Sequence, residues 1–374
     1  MSFDPYDAQL TDPGIWDVYA AARPVVHSDR RGGFWLLTDY DDVRSALRDP
    51  ATFSSASGHR IPTDGTQRAI PIDFDPPLHT AYRRLMATAL TPARVREMKP
   101  FLERTITDLV GRFAAAGGGD VVREVALPLP LLVLTELVGF APDTVQQFRE
   151  VTEQMWGFLA GGGDFAAART RIDELMRREL TERRPGFVTE LLDADLTDDE
   201  RVSILATFAV AGHETTMNSV STLVHLLVTQ PDLQDRLRAD PGLAPRVVEE
   251  MLRHRSPAQN FARRTTCPVR VAGQDIAEGD AVLLSFAAAN RDPARFGDPD
   301  RFDVDRDTRG HLAFGWGIHQ CLGAALARSE LSILLTALTT HPPIRAAGDV
   351  VWSGLQGGNH LGPTRLPIRF VQEG

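Results

Sequence analysis

The chain is poor in cysteine and nearly devoid of lysine. Only two of its 374 residues are cysteine, Cys267 and Cys321. No disulfide framework can organise such a fold, and a reducing cytoplasm is the expected compartment. Lys99 is the single lysine among 40 basic side chains, so arginine carries almost all the positive charge. The 50 acidic residues outnumber these and give a formal charge of −10, which argues against a nucleic-acid partner. No apolar run approaches the roughly 20 residues of a membrane helix. The nearest, 127–140, is interrupted by Pro128, Pro130 and Glu136. The start, MSFDPYDAQLTDPGIW, has acids and prolines where a signal peptide needs basic and then apolar stretches, so a soluble protein is expected. Repeats, low-complexity tracts and Pro/Gly/Ser linkers are also missing. Length alone allows two or three domains, but without a visible boundary one large domain over 1–374 is expected.

What is present is a helical pattern with a small β share. FWLLTDY, behind Arg31, Gly32 and Gly33, predicts a strand after a tight turn. DDVRSALRD predicts a short helix ended by Pro50. Apolar residues recur at helical spacing over 92–116, 125–140, 144–159 and 165–184. Residues 198–230 form the longest helical candidate, followed by 231–239 and 245–254. VRVAGQDIAEGDAVLLSF alternates and turns like a small antiparallel sheet. The expected fold class is mainly α with a minor β portion.

The segment FGWGIHQCLG, 314–323, is the most informative in the chain. Cys321 ends a loop punctuated by Gly315 and Gly317, and the helix-forming run AALARSELSILLTAL follows at once. A thiolate at such a junction is stabilised by the partial positive charge and free N–H groups of a helix start. It suits a haem-iron ligand, because a thiolate pushes electron density onto iron and favours O–O cleavage. Other readings of the residue stay open at this level. A lone cysteine is commonly a buried structural residue. A zinc site needs about four ligands at suitable spacing, which nothing near Cys321 supplies. A cysteine protease pairs its nucleophile with a histidine distant in sequence, whereas His319 is two residues away.

The segment resembles the haem-binding loop of the cytochrome P450 superfamily, Phe-Gly-x-Gly-x-His-x-Cys-x-Gly. The resemblance implies that Cys321 is the axial ligand of a haem b iron, that Phe314 and Gly315 shape the cofactor loop, and that His319 points at a haem propionate. Further family elements follow in order. His79 and Arg83, spaced i, i+4 behind Pro76 and Pro77, share a helix face and resemble a His-x-x-x-Arg propionate clamp. Arginine suits a carboxylate because its fork makes two charge-assisted hydrogen bonds. Leu78 stands where the family more often has Glu. AGHETT, 211–216, resembles the oxygen-binding helix pattern Ala-Gly-x-Asp/Glu-Thr. A mid-helix glycine costs about 1 kcal/mol relative to alanine, so Gly212 needs a reason. The resemblance implies a helix locally opened over the haem at Ala211 and Gly212, with Glu214 and Thr215 relaying protons. The plainer reading of Gly212 is a helix glycine packed against a neighbour. Glu250 and Arg253 resemble the Glu-x-x-Arg pair, buried in the family and joined by an arginine, here Arg301 of Pro299-Asp300-Arg301-Phe302. Arg263 resembles the propionate-pairing arginine before the small sheet, and strand alternation sends its neighbour Arg264 to the other face.

The fold implied places haem between a long distal helix and the proximal cysteine loop and helix. A β-rich part covers about 25–75 and 260–300, and a helical part about 76–255 and 321–341. The activity implied is a monooxygenase that uses O2 and electrons from NAD(P)H. The chain carries no flavin or iron–sulfur module, so a separate ferredoxin or flavodoxin with its reductase is expected to deliver them. Docking is expected near Arg94, Arg96 and Arg328, on a monomer with no membrane attachment. Pocket-facing candidates are the 55–74 loop, 155–158, 208–212, Asn260, Phe261 and the 356–361 turn. They suit hydroxylation or epoxidation of a mid-sized apolar or aromatic molecule. Arg60 and Arg68 read as solvent-facing charges or as anchors for an anionic group. Gly161, Gly162 and Gly163 read as an ordinary turn or, by resemblance, as part of a mobile lid. Rival readings are oxidative coupling without oxygen insertion, a non-catalytic haem sensor or carrier, and a haem-free cysteine hydrolase.

Overall fold

Helical and strand signals alternate along the first third of the chain, and a computed structural model shows where they lead. It describes residues 3–63, 68–144, 146–148, 150–151, 165–355 and 357–371. The glycine triplet 161–163, the 155–158 segment and most of the 144–159 helix expected from sequence lie outside the described residues.

Helix α1 (Gly14–Ala21) precedes strands β1 (Val25–Ser28) and β2 (Phe34–Leu37), then α2 (Tyr40–Arg48), β3 (Phe53–Ser54) and α3 (Leu78–Ala87). Next comes α4 (Pro92–Ala115), opened by the Thr91 side chain, which accepts from the Arg94 N–H at 3.3 Å. β4 (Gly118–Asp120) and α5 (Pro128–Leu134) follow. Single π-helical turns, Val122–Ala126 and Thr135–Gly139, flank α5. The uniform helix expected over 125–140 is therefore corrected, since Pro128 and Pro130 lack the N–H groups that would continue it. α6 (Phe165–Glu179) and α7 (Phe187–Asp193) lead to α8 (Asp198–Thr229), then α9 (Pro231–Ala239) and α10 (Ala244–His254). The chain continues through β5 (Asn260–Thr265), β6 (Val269–Val271), β7 (Gln274–Ile276), β8 (Ala281–Ser285) and α11 (Phe286–Ala289). It closes with α12 (Ala324–Thr339), β9 (Ile344–Ala346), β10 (Val351–Trp352), β11 (Pro363–Arg365) and β12 (Pro367–Phe370).

Two compact units are drawn from this order: 1–85, 252–321 and 353–361 in the first, 86–251, 322–352 and 362–374 in the second. The first is built on a five-stranded sheet, β1-β2-β8-β5-β3, in which only β2 and β8 run parallel. Its apolar face packs with α2 through Leu37, Val43, Leu47, Val282, Leu284 and Phe286. The 269–276 hairpin forms as expected, turning through Ala272 and Gly273 at positive φ. β8, however, joins the larger sheet instead of extending the hairpin.

The second unit is organised around α8. A capping box starts that helix: the Thr197 hydroxyl accepts from the Glu200 N–H, and the Glu200 carboxylate accepts from the Thr197 N–H. α8 is buried along much of its length, from Val202 to Leu227, with polar residues such as Glu214, Asn218 and Ser221 among its buried side chains. α5 and α6 pack on it, and α4 packs on α12. Two small sheets, β4-β12-β9 and β10-β11, complete the unit. Among the described residues no helix is long and apolar enough to cross a membrane.

Candidate functional site

The loop before Cys321 has its shape fixed by glycine. Gly315 and Gly317 sit at φ +65° and +70°, a region open to glycine but costly for other residues. At Gly317 there is no room for a side chain either, since a Cβ would lie 2.2 Å from the Leu47 carbonyl oxygen at the end of α2. The Cys321 N–H donates to the Phe314 carbonyl at 2.8 Å, and the Gln320 N–H to that of Gly317 at 3.2 Å. Cys321 is thereby held at the lip of a closed turn, exposed and free of any disulfide, three residues before α12 begins. The other cysteine, Cys267, is likewise exposed and outside any disulfide.

Basic side chains from α3 and β5 join His319 of the loop itself in crowding Cys321. Arg83 of α3 donates to the Gln320 carbonyl. Burial lowers its pKa, an effect partly offset by the Cys321 sulfur nearby. His79, one turn earlier, is 2% exposed and meets the His319 ring edge to face at 4.4 Å. His319 in turn shares a 3.0 Å hydrogen bond between Nε2 and the Ser55 hydroxyl. Arg263 of β5 is buried and Arg264 exposed, the alternation expected of a strand.

The electrostatics of this cluster are unbalanced. Burial first, then Arg263, His79 and Arg83, push the pKa of His319 down to about 2. His79 is lowered by burial and by Arg83. Burial brings Arg263 down to about 10, although Asp73 and Asp75 pull the other way. Neither ring nitrogen of His79 has a hydrogen-bond partner; the Ile318 backbone is close but outside bonding geometry. Among the described residues Arg263 donates to the carbonyl of its own neighbour alone, Ala262 at 2.7 Å, and no ion pair within 4.0 Å reaches it. Buried charges and buried polar atoms without partners are costly unless something of opposite charge meets them. An anionic group with two carboxylates, next to a thiol able to bind iron, fits this donor set. Haem has both features, and the residues present fit it. A zinc reading of Cys321 has no such support: among the described residues no group of three or more His, Cys, Asp or Glu is placed to hold a metal ion.

In the second unit, Ala211, Gly212, Glu214 and Thr215 lie at mid-length of α8. Ala211 is exposed, Gly212 and Thr215 are half-buried, and His213 and Glu214 are buried. The Thr215 hydroxyl donates to the Ala211 carbonyl at 2.7 Å. The helix opening expected here is corrected: α8 is α-helical without interruption from Asp198 to Thr229. Gly212 instead answers a packing demand, because a Cβ there would come within 3.1 Å of the Leu134 side chain. His213 meets Phe148 edge to face at 5.7 Å, and burial lowers its pKa to about 4 against the opposing pull of Glu214.

Two other expectations change. Glu250 and Arg253 are fully buried on α10, as expected, but Arg301 is not their buried companion. Its side chain is 66% exposed and pairs with Asp303 at 2.6 Å and Asp298 at 3.7 Å. The Arg253 guanidinium donates to the carbonyls of Asn290 at 2.8 Å and Pro299 at 3.0 Å, so backbone oxygens occupy it. The arginines expected to meet an acidic partner are also partly spent. Arg94 pairs with Glu190, and Arg328 grips Glu249 at 2.6 and 3.0 Å. Arg96 alone of the three is exposed without an ion pair among the described residues. Arg68 is exposed, in line with the solvent-facing reading, and is also tied to its own loop. It donates to the Asp73 carbonyl at 2.8 Å and lies over the Phe74 ring at 3.9 Å. Ser55, and the Arg44 stack on Trp316 at 4.7 Å, carry no local signal that a motif could reveal.

Comparison with known proteins shows relatives that span most of the chain. The Cytochrome P450 family model matches residues 164–241 and 242–341. Cytochrome P450 107B1 of Saccharopolyspora erythraea is 37% identical over 366 residues, 90% of this chain and 89% of the relative. Cytochrome P450 monooxygenase PikC of Streptomyces venezuelae is 36% identical over 359 residues, covering 90% and 85%. Among solved structures, Cytochrome P450 CYP109Q5 from Chondromyces apiculatus superposes with a TM-score of 0.85 at 31% identity, covering 100% of this chain and 99% of the other.

Proposed function

The chain belongs to the cytochrome P450 family and is a monooxygenase of bacterial type, and from that premise we propose the residue roles and the substrate class. Cys321 supplies the axial sulfur to a haem b iron. Arg83, Arg263, His79 and His319 hold the propionates, with Phe314 and Gly315 shaping the loop beneath. The observation that carries this reading is the basic cluster beside Cys321, whose buried His79 nitrogens and Arg263 guanidinium find almost no protein partner. Bound haem supplies dioxygen activation by electrons delivered from outside.

The chain's own residues have the remaining tasks. The Thr215 hydrogen is committed to the Ala211 carbonyl, so its oxygen lone pairs are left to accept from water or a protonated group. Glu214, adjacent and buried, is the carboxyl that holds the proton. Ala211 and Gly212 present little bulk beside it. Glu250 and Arg253 keep a structural role.

The substrate is a mid-sized apolar or aromatic molecule, hydroxylated or epoxidised. In the first unit the segments facing it are fastened to one another. The Ala262 N–H donates to the His59 carbonyl at 2.8 Å, and the Gln259 N–H to that of Asn359 at 2.7 Å. The side chains they present include Phe261, stacked on Phe286 at 5.4 Å, and His59, 5.6 Å from Phe261. Electrons come from NAD(P)H through a reductase and a ferredoxin or flavodoxin, in the cytoplasm, to a monomeric enzyme.

A compound screen for the ferric haem spectral shift that accompanies water displacement finds the ligand class. Product mass then decides the reaction. A gain of one oxygen supports insertion, whereas a loss of two hydrogens identifies oxidative coupling instead.

A further inference from the structure

The loop that carries Cys321 is fastened at three points, and one of them has no counterpart in the motif. Arg83 holds Gln320 and Ser55 holds His319. On the α2 side, Leu47 abuts Gly317, and Arg44 lies over the Trp316 ring with its guanidinium carbon 4.7 Å from the centroid. Trp316 stands at an open position of the Phe-Gly-x-Gly pattern, so the family signature does not require it. It is half-buried and packs on the core that α2 and the sheet share.

Arg44 is unusual in its company. Its Nε is buried without a hydrogen-bond partner, and among the described residues it makes no ion pair. Among the described residues its guanidinium stacks on the indole face of Trp316. Burying a guanidinium N–H with nothing to accept from it is unfavourable. Attraction to the ring quadrupole offsets that cost, most strongly for tryptophan and for a partly desolvated cation. The stack sits where helix and loop meet, and the loop is closed on itself between Phe314 and Cys321. A displacement at Trp316 therefore carries to the sulfur.

We propose that Arg44 is a positioning residue for Cys321, clamping Trp316 so that the loop keeps its sulfur in the geometry of a thiolate ligand. The proposal rests on the haem-thiolate reading above. It predicts that loosening the clamp destabilises sulfur ligation ahead of the fold as a whole.

The test uses the haem-loaded protein, wild type and the variants Arg44→Ala, Arg44→Lys, Trp316→Leu, Trp316→Phe and Arg44→Ala/Trp316→Leu. The ferrous carbonyl complex is followed under a fixed mild urea challenge, timing the loss of the thiolate-type Soret band. Global unfolding is measured separately by circular dichroism. Arg44→Ala is expected to speed band loss by about tenfold with little change in the unfolding midpoint. Arg44→Lys keeps the charge but not the planar stack, and should fall between wild type and Arg44→Ala. The double variant should be no faster than the faster single one, since both remove the same contact. Should Arg44→Ala fail to load haem, Arg44→Lys and Trp316→Phe, which retain a cation and a ring, carry the comparison. Band loss within twofold of wild type in all variants overturns the proposal. So does band loss that merely tracks the unfolding midpoint, or strict additivity of the single variants. A wild-type protein without the thiolate-type band overturns the parent reading instead, so the two failures are distinct.

Discussion

Two motif glycines, Gly317 beside Cys321 and Gly212 in α8, stand in regions built on different principles. At Gly317 a Cβ would strike a backbone oxygen 2.2 Å away, at a φ of +70°. At Gly212 it would meet the end of the Leu134 side chain at 3.1 Å, in ordinary helical backbone. Backbone cannot step aside, whereas a leucine side chain can shift by a few tenths of an ångström. The cysteine loop is thus a rigid frame whose surrounding basic groups look outward for a partner. α8 is a self-satisfied element, capped, buried and with the Thr215 hydroxyl returned to its own helix. One region fixes the sulfur, and the other offers small, adjustable groups.

The sharpest way to break this contrast is to add the missing methyl at each glycine. Gly317→Ala should cost about 3 kcal/mol or more in chemical unfolding, through strain and a displaced loop, and should reduce haem retention. Gly212→Ala should stay within about 1 kcal/mol of wild type, because the helix-propensity gain offsets the repacking of Leu134. Equal costs would end the distinction.

Removing the cluster's least compensated charge comes next. Arg263→Met should speed haem loss by about tenfold or more, the value of a charge-assisted hydrogen bond to a carboxylate. The haem-free protein should be at least as stable as wild type, since a buried cation lacking a carboxylate partner disappears. A parallel fall in both quantities would assign Arg263 to the fold alone.

Two buried groups, one in each unit, respond to pH with opposite sign. In the first unit, burial lowers the pKa of His254 from 6.5 to about 2. The unfolded chain then binds the proton more readily, and stability falls as pH drops below about 6.5. In the second unit, Glu330 of α12 is buried with Oε2 unpartnered, and burial raises its pKa from 4.5 to about 8. The folded state binds that proton more tightly, so stability declines as pH rises from about 4.5 towards 8. Glu330→Gln should remove the alkaline decline and gain about 1–3 kcal/mol at pH 7, read from urea midpoints across pH. A decline that survives in the variant would contradict this.

The smallest effect on stability is expected at Thr215. Thr215→Val deletes one hydroxyl-to-carbonyl hydrogen bond and should cost at most about 1 kcal/mol. If Thr215 handles protons, the fraction of reducing equivalents recovered as product should nonetheless fall, with peroxide rising. Unchanged coupling would remove Thr215 from the chemistry.

These contrasts follow what could and could not be read along the chain. The helices 92–115 and 231–239 and the long α8 are legible because helical signals are local along the chain, and the structure adds the caps at Thr91 and Thr197. The order of motifs led to Cys321 and the basic residues around it. Arg301 misled because its spacing matches a buried partner, while Asp298 and Asp303 hold it at the surface. Arg94 with Glu190, Arg328 with Glu249, and Arg44 with Trp316 are contacts between residues far apart in sequence, which no window of periodicity reveals. Gly212 was legible as a helix glycine that needed a reason. Which reason applied depended on where Leu134 packs.

The central claim, that the Cys321 sulfur is the axial bond to haem iron, is tested most directly by one spectrum. Protein expressed with ample haem, reduced and exposed to carbon monoxide, should show the long-wavelength Soret band of thiolate ligation, and Cys321→Ser should abolish it. Colourless protein, or a carbonyl band like that of a histidine-bound globin, would contradict the account.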